Sequence, residues 1–179
     1  AARILRKPLV IHEQNSIAGS SNRLLAKIAT KKLVAFPHAL NDSVHVGNPV
    51  RATVSCVQHD FISHQHAGLR VLIMGGSLGA KAINDVAPFA LAGMNVKSRP
   101  AIWHQTGKGK KAPVSAAYQE QKVEARVEEF IDDVAAAYAW ADIVICRAGA
   151  LTVSEVAAAG APAIFIPLPA AIDNHQLFN

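Results

Sequence analysis

The chain has 179 residues, 51% hydrophobic and 17% charged, enough for one full-sized core or for one domain with part of another. Its formal charge of +5 points to an anionic partner, but the basic cluster Lys108, Lys110 and Lys111 lacks the interleaved aromatics of a base-stacking surface, which argues against nucleic acid. Cys56 and Cys146 form no CxxC pair, so neither a disulfide framework nor a zinc site is indicated, and the chain reads as cytosolic; no apolar run reaches the ~20 residues of a membrane-spanning helix.

In chain order, Leu9 to Ile11 read as a short buried strand ending in the polar run HEQN at 12–15. Leu24, Leu25 and Ile28 then have helical spacing, and Leu33 to Ala35 resume a strand, a βαβ piece too small to bury a core of its own. The run GNPVR at 47–51 carries turn chemistry, because Gly47 permits an unusual φ and Pro49 holds Asn48 extended. A poorly patterned stretch from Ser55 to Gly68 follows, with His59, His64 and His66. Without an acidic or cysteine ligand beside them it reads as a linker, and the domain boundary falls near residue 50. The chain opens with no secretory signal and no initiating Met, and residues 174–179 resemble a helix only just begun, so both ends read as cut.

From Arg70 the rhythm is regular. Val71 to Met74 form a strand, GGSLGA at 75–80 a turn, and Lys81 begins a helix in which Pro88 predicts a kink. Ala101 to His104 form the next strand, residues 105–110 a loop, 116–121 a short helix and 126–130 a third strand; Val134 to Ala141 form a helix with an Asp as N-cap. Ile143 to Cys146 are a strand, followed by a small-residue turn and an Ala-rich helix that ends at Gly160. Pro162 prevents its continuation, and Ala163 to Ile166 form a last strand. Alternation at this spacing means a parallel sheet flanked by helices, a Rossmann-like α/β layer with right-handed crossovers.

Two loops have the position and chemistry to hold an anion. In GGSLG the glycines allow backbone N–H groups to approach a phosphate, Ser77 can donate its hydroxyl, and the next helix supplies its positive end. It is neither a P-loop, lacking GKS or GKT, nor GxGxxG, and no acid stands about twenty residues on where a dinucleotide site needs one for the ribose. The second loop leads into Thr152 to Glu155, which admits two readings. Thr152 and Glu155 fit a capping box; alternatively the helix begins near Ala150 and the Glu155 carboxylate is available to accept both hydroxyls of a ribose. His12, Glu13, Asn15 and Arg51 would face these loops across a cleft between two α/β domains, although His12 also reads as a core histidine with satisfied hydrogen bonds.

Taken together, HEQN with IAG at 17–19, GNPVR, GGSLGA, FIDD at 130–133, RAGALTVSE at 147–155 and DNHQ at 173–176 closely resemble the MurG family of bacterial peptidoglycan synthesis. The motifs run in the family's order over nearly the whole chain. The resemblance implies a GT-B fold: residues 1–50 would be the C-terminal part of an acceptor domain, a remnant of a second Rossmann-like domain, and 51–179 the donor-nucleotide domain, truncated at its C-terminus. It implies transfer of N-acetylglucosamine from UDP-N-acetylglucosamine to the muramyl 4-hydroxyl of lipid I, inverting and metal-independent, with no cofactor and no nucleic acid, at the cytoplasmic face of the cell membrane. Ile131 would contact uracil through its backbone, Glu155 the ribose, and Ser77 and Arg51 the diphosphate. Ala150, Leu151, Thr152, Val153 and Ser154 would line sugar and phosphates at the helix start, with Gln176 and Asn15 at the N-acetylglucosamine. The family's glycine-rich loop bearing the candidate catalytic base, and its membrane-docking patch, are not in this chain. A UDP-sugar-binding module that needs a partner chain, and a UDP-sugar epimerase of the same architecture, are the competing expectations.

Overall fold

A computed structural model describes residues 5–57, 68–76, 79–168 and 175–179. Its elements in chain order are strand β1 (Val10–Glu13), helix α1 (Ser20–Ala26), strands β2 (Lys31–Val34) and β3 (Val44–His45), a one-turn helix α2 (Ala52–Ser55), strand β4 (Arg70–Met74) and helix α3 (Lys81–Ala92). Strand β5 (Ala101–Gln105), helix α4 (Lys111–Glu120), strand β6 (Arg126–Glu128), helix α5 (Val134–Trp140) and strand β7 (Ile143–Cys146) follow. Helix α6 (Ala150–Ala159), strand β8 (Ala163–Phe165) and helix α7 (His175–Phe178) complete the series. The stretch with His59, His64 and His66, and Ser77 of the glycine turn, lie outside the described residues. The chain divides into two compact units: residues up to Val50 with Ala148–Ser154 and Pro167–Asn179, and Arg51–Arg147 with Glu155–Ile166.

In the first unit β1, β2 and β3 form a parallel sheet, Val10 opposite Lys31 and Glu13 opposite Val34. Few apolar side chains are buried there, among them Ile11, Ala18, Val34 and Ala35. A charged group organises the turn after β1 instead. Glu13, only 2% exposed, accepts from the Asn15 backbone N–H (2.9 Å) and Nδ2 (3.2 Å) at one carboxylate oxygen, and from Gly19 N–H (3.0 Å) and Asn22 Nδ2 (2.9 Å) at the other. Burial alone raises its pKa, but these donors outweigh burial and leave it below the usual carboxylate range.

The second unit is a five-stranded parallel sheet in the order β6-β5-β4-β7-β8. The chain adds β5 and β6 on one side of β4, then returns to lay β7 and β8 on the other, so β4 is central and its Val71, Leu72 and Ile73 are all buried. Such a continuous apolar run is what a strand covered on both faces requires. Val71 and Ile73 pack with Ala80, Ile83 and Leu91 from α3, Ile102 from β5, Val114 and Tyr118 from α4, and Val127 from β6.

Local expectations are met at several ends and corrected at others. Asp133 caps α5, its side chain accepting from Ala136 N–H at 2.9 Å. Gly160 ends α6 at φ +66, with Ala161 N–H returning to the Val156 carbonyl at 3.1 Å. Helix α3 runs from Lys81 to Ala92 with Pro88 inside it, as expected, and the proline ring is buried. Helix α4 begins at Lys111, earlier than 116, because Pro113 falls in its first turn, where an N–H has no intrahelical partner to lose. Strand β6 stops at Glu128 rather than Phe130, because the Glu129 carbonyl turns to accept from Gln105 Nε2 (2.7 Å) and Gly107 N–H (3.1 Å).

Candidate functional site

The sheet order fixes where a ligand site belongs. Strand order reverses between β4 and β7, and in open parallel sheets ligands bind beyond the carboxyl ends of the strands at that reversal. The two loops singled out from the sequence leave β4 and β7 at those ends.

The turn after β4 is held by its neighbour β5. Gly75 N–H donates to the Gln105 carbonyl at 2.9 Å, and Gly79 N–H returns to the Gly76 carbonyl at 2.9 Å. Gly79 has φ +70, and a Cβ there would sit 2.1 Å from the Thr106 carbonyl oxygen, so only glycine fits. Helix α3 then starts at Lys81 with no side-chain cap from Ala80 and no acidic residue in its first turn. Its first N–H groups have no intrahelical partner, the arrangement that suits an anion.

Helix α6 fixes where Thr152 and Glu155 lie along it. It begins at Ala150, with Val153 N–H already bonded to the Gly149 carbonyl at 2.9 Å, so Thr152 lies inside the helix and the capping box is not formed. Glu155 is held instead by side chains remote in sequence. Its Oε1 accepts from Arg51 Nε (3.1 Å) and Nη2 (2.9 Å), and its Oε2 from the Tyr138 hydroxyl at 3.5 Å. Tyr138 is fully buried; burial first, then the charge of Glu155, push its phenol well up, so it remains a protonated donor. The Glu155 side chain is 15% exposed and that of Arg51 55%.

Other expected site residues have definite surroundings. Asn15 Nδ2 is committed to Glu13, and its Oδ1 accepts from Asn179 Nδ2 at 3.4 Å; the same Asn179 amide reaches the Ala148 carbonyl at 3.1 Å, just before α6. Ser154 Oγ donates to the Ala150 carbonyl (2.9 Å) and accepts from Asn48 Nδ2 (3.0 Å). Asn48 Nδ2 also lies 3.1 Å from the Gln14 carbonyl, while its buried Oδ1 has no partner among the described residues. Gln176 Oε1 accepts from Leu168 N–H at 2.9 Å. Leu151 is exposed, and Thr152 and Val153 are half-buried. Ile131 is half-buried in the segment between β6 and α5, two residues before the Asp133 cap. His12 Nε2 donates to the Gly47 carbonyl at 3.0 Å, which is the satisfied histidine of the structural reading. Both cysteines are free, and among the described residues no cluster of His, Cys, Asp and Glu could hold a metal ion.

Sequence reasoning missed Gln105, Tyr138 and Asn179: Tyr138 reaches Glu155, Asn179 reaches Asn15, and Gln105 holds Gly76 and the Glu129 carbonyl beside two of the expected segments. A polar residue at the carboxyl end of a buried strand, as in Gln105 and Thr106, is the signal that was there to be read.

The sheet order, the glycine turn on the central strand and the helix that carries Glu155 define a Rossmann-like α/β domain of GT-B type. The glycosyltransferase family 28 C-terminal domain matches residues 70–179, and the chain belongs to that family. It is 54% identical over its whole length to a UDP-N-acetylglucosamine--N-acetylmuramyl-(pentapeptide) pyrophosphoryl-undecaprenol N-acetylglucosamine transferase of Cellvibrio japonicus, covering 52% of that protein. To the transferase of the same name from Shewanella denitrificans it is 50% identical, again over its whole length and 50% of that protein. The crystal structure of MurG from Acinetobacter baumannii superposes with a TM-score of 0.80 at 42% identity, covering 98% of this chain and 50% of that one. The chain thus spans about half the length of the curated relatives it matches.

Proposed function

We propose that the chain is the donor-binding part of an inverting N-acetylglucosaminyltransferase that takes UDP-N-acetylglucosamine as donor and lipid I as acceptor and forms lipid II. In this reading residues 51–179 bind the nucleotide and residues 1–50 belong to the acceptor domain, with the enzyme working at the cytoplasmic face of the cell membrane. The observation that carries it is Glu155: a carboxylate with no capping duty, held at its position by Arg51 and Tyr138 on the helix that follows the reversal of strand order. Such a group accepts from two vicinal hydroxyls, the distinguishing feature of a ribose. The Cellvibrio and Shewanella relatives are named for the same donor and acceptor, which supports this reading.

The chemistry follows from that placement. The muramyl 4-hydroxyl oxygen attacks the anomeric carbon from the face opposite the phosphate, the bond from that carbon to the β-phosphate oxygen breaks, and UDP leaves with the negative charge. The first N–H groups of α3, which have no intrahelical partner, would stabilise that charge as it develops. The acceptor's proton passes to a general base. Ile131 would meet the uracil, Arg51 and Ser77 the diphosphate, and Ala150 to Ser154, Asn15 and Gln176 the sugar side. Because Arg51 engages Glu155 in the structure, its role at the diphosphate requires the guanidinium to turn from one partner to the other as the donor enters.

Calorimetric titration with UDP-N-acetylglucosamine, together with a turnover assay on a lipid I analogue, tests the proposal. Saturable donor binding is expected. Donor binding without turnover would support a donor-binding module, and failure to bind any uridine nucleotide would overturn the assignment.

A further inference from the structure

Two of the segments assigned to the donor, the glycine turn after β4 and the segment after β6, are not neighbours in sequence, nor are their strands paired. Strand β5 lies between them. At its carboxyl end stands Gln105, 5% exposed, whose side-chain amide touches both. Its Oε1 accepts from Gly76 N–H at 3.0 Å, and its Nε2 donates to the Gly76 carbonyl at 3.1 Å and to the Glu129 carbonyl at 2.7 Å. Both amide hydrogens are therefore used, one on each segment. The Gln105 backbone carbonyl meanwhile takes Gly75 N–H at 2.9 Å. Both polar groups of Gly76 are thus fixed by one side chain, at a residue whose φ of +74 gives the turn its shape. Glu129 directly precedes Phe130 and Ile131, and its orientation sets where the Ile131 backbone begins.

We propose that Gln105 is a positioning residue that couples the phosphate-facing glycine turn to the uracil-facing segment, so that occupation of either one orders the other. The inference rests on the donor assignment above. An amide of this length is required: carboxylate at this position has no hydrogens for the two carbonyls, and asparagine is one methylene short. An apolar side chain leaves the Gly76 N–H without its acceptor and its carbonyl with the Gly79 N–H alone. A residue that only satisfied a buried turn would matter to stability alone. A coupling residue also transmits, and a ligand that reaches one segment makes the difference observable.

Uridine is such a ligand, since it has no phosphate with which to reach the glycine turn. Amide hydrogen exchange followed by NMR on the full chain, with and without saturating uridine, is the measurement. In the wild type uridine is expected to slow exchange at Ile131 and also at Gly76. In Gln105→Met the Ile131 protection persists, the Gly76 protection disappears, and UDP affinity falls about tenfold or more, as expected for misplaced hydrogen-bond donors. Should the Met variant not fold, Gln105→Asn, still an amide, carries the same expectation. Uridine protection confined to Ile131 in the wild type, or protection of Gly76 that survives in a folded Gln105 variant, would overturn the coupling and leave the donor assignment standing. If UDP protects neither segment in the wild type, the donor assignment itself fails and the coupling with it.

Discussion

Glu155→Gln separates a ligand contact from a structural one, because the replacement keeps the shape of the side chain and removes only its charge. The stability at stake is small. Arg51 is more than half exposed, and pairs of this kind contribute about 0.5–1 kcal/mol, part of which the glutamine oxygen retains by accepting from the same guanidinium. For a chain of this size that is a fall in melting temperature of at most about 1–4 °C. The binding loss is larger. Hydrogen bonds to a charged acceptor contribute about 1.5–3 kcal/mol and neutral ones about 0.5–1.5, so two ribose hydroxyls lose roughly 2 kcal/mol between them. That corresponds to about a 30-fold weaker Kd for UDP. Calorimetry with UDP and a thermal melt on the same preparation give both numbers. A UDP affinity within about threefold of wild type, paired with a melting temperature lowered by more than ~5 °C, would show that Glu155 serves the fold and would refute the ribose assignment.

Other substitutions probe the scaffold. Gly79→Ala forces a Cβ to 2.1 Å from the Thr106 carbonyl at a left-handed φ, and is expected to cost more than the ~1–2 kcal/mol of the conformation alone; Gly160→Ala, with open space around its Cβ, should cost only that amount. Equal urea midpoints for the two variants would contradict this. His104 is fully buried between Tyr118 and Asn84, and burial pushes its pKa down to about 4 from 6.5. The native imidazole is therefore neutral while the unfolded one takes up a proton below pH 6.5, so stability is constant above that pH and falls as pH drops toward 4, by about 3 kcal/mol in all. Urea unfolding at pH 7, 5.5 and 4.5 should show a shallower dependence in His104→Gln than in wild type; parallel curves would exclude the histidine as the cause. Glu13→Gln converts the carboxylate oxygen facing Gly19 and Asn22, or the one facing Asn15, from acceptor to donor, and should destabilise the chain by about 1–3 kcal/mol in chemical denaturation. A change below ~0.5 kcal/mol would mean that water replaces the lost contacts.

Local features were legible because their causes are local. The strand at Ile143 to Cys146 ends where apolar residues give way to small ones, Asp133 caps because a short carboxylate precedes a helical run, and Gly160 stops α6 because a left-handed φ favours glycine. The identity of the parallel α/β layer followed from alternation alone. Where the reading needed the start of a helix it stayed open: Thr152 and Glu155, three apart, are spaced alike in a capping box and inside a helix. What decides between them is whether residues 150 and 151 join the helix. The expected start of α4 near 116 was late by a turn, because Pro113 falls in the first turn of the helix that begins at Lys111.

The sequence by itself therefore determined the class of fold and the family pattern, and singled out two loops as candidates for an anion, since each depends on neighbours along the chain. Only the tertiary structure decided what surrounds them. Strand order placed β4 at the centre and β5 between two segments of the candidate site. Packing brought Arg51 and Tyr138 to Glu155, and Gln105 to both Gly76 and Glu129. No periodicity encodes such meetings, because a hydrogen bond between residues 104 positions apart is fixed by the packing of whole elements and not by the spacing of residues within one.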